Sequence, residues 1–103
     1  MNWMHDPEFL KLKKEFVDTF MERSQMLRTL LAKADAESLL EIQRIAHSIS
    51  GIAATYGFNE IGNKGEEVDL FLESQFKAGT MDLIKANILV EELFSQLEKA
   101  SKE

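Results

Sequence analysis

Cysteine is absent from the 103-residue chain, which excludes disulfides and thiolate metal sites and is compatible with a reducing compartment. No apolar run approaches the roughly 18 residues of a membrane span. The first nine residues, from Met1 to Phe9, lack the basic flank and continuous apolar stretch of a secretory signal. A cytoplasmic protein without membrane contact is therefore expected. Positive charge is also scarce. Twelve Lys and Arg against eighteen Asp and Glu leave a net charge of −6, which argues against general binding to nucleic-acid phosphates. The one local concentration of base, Lys11, Lys13 and Lys14, reads as a solvated helix face. No alternating run of β-branched residues suggests a strand.

What remains is helical. At this length one domain over residues 1–103 is expected, large enough for a single core and too small for two. A first segment opens at Asp6-Pro7-Glu8, with an acid as N-cap, proline at the first helical position and another acid in the first turn. Phe9, Leu12, Phe16, Phe20, Leu27 and Leu31 mark its apolar face as far as Lys33, with a break expected near Glu22–Ser24. A second segment runs from an N-cap at Asp35 to Tyr56 and stops at Gly57. A third starts near Asn59, carries Ile61, Gly65, Val68, Leu72 and Phe76 on one stripe, and ends before Gly79. A fourth, capped by Thr80, continues through Leu83, Ala86, Val90, Leu93, Phe94 and Leu97. Connections this short predict an all-α, antiparallel up-down-up-down four-helix bundle.

The second segment holds His47, and the histidine is on the wrong side for a core residue. The apolar stripe of Leu39, Ile42, Ile45/Ala46, Ile49, Ile52/Ala53 and Tyr56 leaves His47 roughly 160° from its centre, at the surface. Helical side chains lean toward the N-terminus, so residue 51 should lie over the imidazole. That residue is Gly51, which removes the cover although an interior helical glycine costs about 1 kcal/mol against alanine. Near the same face lie Leu40, Gln43, Arg44, Ser50 and Ala54, a set suited to a shallow, partly apolar docking patch. The other histidine, His5, has no second histidine near it, and no metal site is expected. Met and Phe residues fall at core spacing. Glu60, Glu66, Glu67, Asp69 and Glu73 read as a solvated acidic face of the third segment.

His47, Ser50, Gly51, Gly57, Ile61 and Gly65 together resemble the signature of histidine phosphotransfer (HPt) domains. That signature is His-x-x-Lys-Gly, a glycine ten positions after the histidine, an apolar residue four further on and a small residue after another four. The spacing matches without a gap; the departure is Ser50 where the family has lysine. The resemblance implies a four-helix bundle, often with a short extra helix before it, and a phosphoryl group carried on Nε2 of His47. It further implies relay between aspartates of receiver domains in response regulators or hybrid histidine kinases. Ser50 and Arg44 are the candidate phosphate-supporting residues, with Lys64 as a further cation. Gly51 is the clearance residue, and Leu40, Gln43 and Ala54 are docking residues. The chain has no Gly-x-x-x-x-Gly-Lys-Ser/Thr loop, no Gly-x-Gly-x-x-Gly and no paired aspartates set to hold magnesium. A phosphate carrier without a nucleotide site or bound cofactor is thus expected, working as a monomer, with magnesium supplied by the partner receiver. The rival reading is an adaptor or inhibitor that docks receivers through the same face and no longer carries phosphate.

Overall fold

A computed structural model describes residues 3–103. After a turn of 3-10 helix at Trp3–His5, five α-helices follow: α1 (Pro7–Asp18), α2 (Phe20–Lys33), α3 (Ala36–Ala53), α4 (Asn59–Ala78) and α5 (Leu83–Ser101). A second 3-10 turn, Ala54–Tyr56, extends α3. No strand occurs among the described residues. Helix α3 packs on α2 and α4, and α5 packs on the same two, so that four helices close a ring around one core. The all-α bundle expected from the apolar spacing is the observed architecture.

The helix starts follow side-chain capping. The Asp6 carboxylate accepts from the Glu8 amide at 2.7 Å, and Asp35 from the Ser38 amide at 2.8 Å. Hydrogen bonding by Ser38, through its side chain first and its backbone second, holds the Asp35 carboxyl below its usual range. The fourth bundle helix starts later than its apolar pattern implies. Its cap is Asp82, accepting from the Lys85 amide at 3.0 Å, rather than Thr80. Leu83, in the first turn, is consequently exposed.

The long first segment divides at Thr19, not near Glu22–Ser24. The Thr19 hydroxyl donates to the Phe16 carbonyl at 2.7 Å and accepts from Arg23 Nε at 2.8 Å, which occupies the junction with side-chain bonds. Ser24 lies inside α2 and is fully buried. Upstream of the junction, α1 is held by rings. Phe16 meets Phe20 edge-on at 4.9 Å between centroids and reaches Tyr56 at 5.6 Å, while Phe20 lies 5.3 Å from Phe58. Each such pair adds about 0.5–1.5 kcal/mol beyond its buried area. Leu12, expected on the apolar face, is exposed, because α1 packs at the end of the bundle along one narrow edge.

Along the bundle the apolar stripes meet as the spacing requires. Leu27, Leu39, Ile42, Ala46, Ile49, Ile61, Val68, Leu72, Ala86, Val90, Leu93 and Leu97 form the core. Gly57 ends the Ala54–Tyr56 turn with φ 84°, the left-handed conformation that a side chain would strain. Among the described residues no helix is long and apolar enough to cross a membrane.

Candidate functional site

His47 lies two-thirds of the way along α3, and 78% of its side chain is exposed. The ring is at the surface as expected, but it stands at the boundary with α4 rather than far from it. Its Nδ1 is 2.7 Å from Oδ2 of Asp69 on α4. Asp69, which its sequence neighbours group with a solvated acidic face, is instead buried, with 13% of its side chain exposed. Its other oxygen accepts from Nε2 of Gln43 at 3.1 Å. One carboxylate is thus held by two residues of α3, one turn apart.

Close approach of α3 and α4 makes this contact possible. Gly65 sits on α4 one turn before Asp69, and a β-carbon there would come within 2.9 Å of the Ala46 carbonyl oxygen and 3.2 Å of the Ser50 amide nitrogen. Only a residue without a side chain permits that spacing. The small residue of the motif at position 65 therefore serves helix packing immediately beside the histidine.

A carboxylate acceptor at Nδ1 selects the tautomer with the proton on that nitrogen, and leaves Nε2 as the lone-pair nitrogen. The ring's unbonded edge is thereby the nucleophilic one. Gly51, on the exposed side of α3, has nothing within 4 Å of where a β-carbon would be. Neither packing nor backbone geometry demands glycine at this position.

The other expected site residues divide between those the fold gathers here and those it turns away. The Ser50 hydroxyl donates to the His47 carbonyl at 2.8 Å, back along its own helix. Leu40 and Ala54 are exposed on α3 and on the turn that follows it. Gln43, half-buried, is bonded to Asp69. The Arg44 guanidinium pairs with Glu41 one turn earlier, at 3.2 Å. Lys64 is directed to the opposite side of α4, toward Glu67 and Glu92 at 3.7 and 3.6 Å. Neither cation has a contact with the imidazole. Among the described residues no group of three or more His, Cys, Asp or Glu is placed to hold a metal ion.

Asp69 is the residue that the spacing argument missed. It follows Val68 directly and is seven residues beyond Gly62, which is also buried, so the two share the α3-facing flank of the α4 stripe. Glu66 and Glu67, exposed, lie beyond that flank.

The family model for the Hpt domain matches residues 11–100, and the chain belongs to that family. Membership carries the role of histidine phosphotransfer in two-component phosphorelay, in which these domains are phosphocarrier modules. Comparison with curated proteins and with solved structures returned no match.

Proposed function

We propose that His47 is the phosphorylated residue, that Nε2 carries the phosphoryl group, and that the domain relays it between aspartates of receiver domains. The observation that carries this reading is the bond from Nδ1 to Asp69, which leaves Nε2 as the exposed nucleophile on a rigid helix. Phosphoryl transfer has a loose transition state, in which catalysis is mostly positioning and compensation of charge on the equatorial oxygens. The bundle supplies the positioned imidazole. The receiver supplies its aspartate, its magnesium and most of the charge compensation, since among the described residues no cation is paired with the ring. Leu40 and Ala54 flank the imidazole as docking surface, and Gly51 keeps its approach open. A monomer suffices for this chemistry, because all of these residues come from one chain.

The test is incubation with a panel of phosphorylated receiver domains. Acid-labile, base-stable label should appear on the wild-type protein and be absent from His47→Gln. Because the ring is exposed but bonded to the buried Asp69 carboxylate, His47→Gln should stay folded and lose about 1–3 kcal/mol of stability at most, the range for one hydrogen bond to a charged group. Undiminished label on that variant excludes His47. Receiver binding with no label on wild type would establish the adaptor reading instead.

A further inference from the structure

Asp69 touches the one ring atom whose proton decides how easily a phosphoryl group leaves. We propose that Asp69, oriented by Gln43, keeps Nδ1 of His47 protonated while Nε2 bears the phosphoryl group, so that transfer in and out occurs without exchange of a proton with solvent. This inference rests on the assignment of His47 as the phosphate site.

The neutral ring attacks the acyl phosphate of a receiver aspartate through the Nε2 lone pair. The Nε2–P bond forms, the P–O bond breaks, and the electron pair leaves on the aspartate carboxylate. The ring is then an imidazolium whose Nδ1 proton faces Asp69 Oδ2, the atom 2.7 Å away in the unmodified protein. In onward transfer a second aspartate oxygen attacks phosphorus, the Nε2–P bond breaks, and its electron pair returns to Nε2. The leaving group is a neutral imidazole with the same Nδ1 proton. If the phosphorylated ring lost that proton, it would have to depart as imidazolate, a far poorer leaving group, or recapture a proton first.

The surroundings leave this task to Asp69. On α3 the nearest charges are Arg44 and Glu41, paired with each other at 3.2 Å. On α4, Glu66 is exposed three residues before Asp69, and Glu73 is paired with Lys77 at 3.0 Å four residues after it. On α2, Glu22 lies on the other flank of α3, where it lines a groove with Glu41. The Ala54–Tyr56 turn contributes no charge. Its Tyr56 packs at a tilt against Phe9 and Phe16. Asp69 is the only one of these groups bonded to the ring, and its second oxygen is occupied by Gln43, which holds the first on the line to Nδ1.

The experiment uses full-length protein labelled with nitrogen-15 at histidine and phosphorylated with phosphoramidate, a small donor that needs no docking partner. Ring nitrogen shifts and onward transfer to excess receiver domain are followed from about pH 6 to about pH 8.5 in wild type and in Asp69→Asn, which keeps shape and an acceptor but no charge. Wild type should keep a protonated Nδ1 and a nearly level transfer rate. Asp69→Asn should lose the Nδ1 proton within that interval, its transfer falling by about tenfold per pH unit thereafter. Asp69→Glu, restoring the charge, should restore the level profile even if the absolute rate is lower, which a merely structural role for Asp69 does not explain. Identical pH profiles and ring shifts in wild type and Asp69→Asn overturn the proposal. Phosphoramidate label that persists in His47→Gln instead overturns the site assignment beneath it, so the two failures are distinct.

Discussion

Gly65 of α4 and the carbonyl of Ala46 on α3 are so close that a β-carbon at position 65 would stand 2.9 Å from the Ala46 oxygen. The obstacle is helix backbone, which cannot yield as the end of a flexible side chain can. Gly65→Ala should force α3 and α4 apart and destabilise the fold by about 1–3 kcal/mol, the usual range for overpacking. The separation should also weaken the bond between His47 and Asp69. Denaturant unfolding measures the first effect and nitrogen-15 shifts of the imidazole the second. A variant of unchanged stability would mean that the helices re-space at no cost.

Gly51 predicts the opposite sign. Its position is ordinary helix with open space beside it, so Gly51→Ala should stabilise the protein by up to about 1 kcal/mol. Gly51→Gln should also fold, yet its side chain would lean over His47 and obstruct a docking receiver. Transfer from a phosphorylated receiver should then fall by orders of magnitude while direct labelling by phosphoramidate persists. Wild-type transfer by Gly51→Gln would refute the clearance role and leave the fold untouched.

Apolar spacing made the bundle legible because each stripe has one partner surface and the period reports it directly. The histidine and the open glycine were legible for the same reason, as residues that break the pattern without a packing cause. Loop geometry and helix spacing were hidden. The start of α5 depended on whether Thr80 or Asp82 could reach a free amide, a matter of loop geometry. Asp69 resembled its acidic neighbours in sequence, and only the close approach of α3 and α4 permitted by Gly65 separates a buried acceptor from solvated glutamates.

Ser50 stands where the family has lysine, and its hydroxyl is committed to the His47 carbonyl. A phosphoryl group on Nε2 adds up to about two negative charges near Asp69. Ser50→Lys should therefore lengthen the lifetime of phosphohistidine, or shift the transfer equilibrium toward this protein. Replacing Arg44 should change little, since its guanidinium is engaged with Glu41. Decay of phosphoramidate-labelled protein measures both. If Ser50→Lys leaves decay and equilibrium unchanged, compensation comes wholly from the partner.

A second, partly buried network ties α2 to α5 far from the histidine. Glu98 of α5 accepts a hydrogen bond from buried Ser24 of α2 and two from Arg28, at 2.9 and 2.8 Å, while the Arg28 guanidinium lies 4.2 Å from the centroid of Phe94. The Ser24 hydroxyl foremost, and Arg28 after it, hold the Glu98 carboxyl below its ordinary value of 4.5 against the opposing effect of burial. A carboxylate whose value is lowered by folding contributes stability above its unfolded value and loses it as pH falls through the lowered range. Ser24→Ala removes the buried donor and should cost about 1–3 kcal/mol at neutral pH, the range for a hydrogen bond to a charged group. The deficit should hold steady from neutral pH down to about pH 5 and shrink below the ordinary glutamate range, as Glu98 becomes protonated in both proteins. Urea unfolding of the two proteins at several pH values gives the comparison. A deficit that does not change with pH would assign the loss to packing around Ser24 and not to the charge on Glu98.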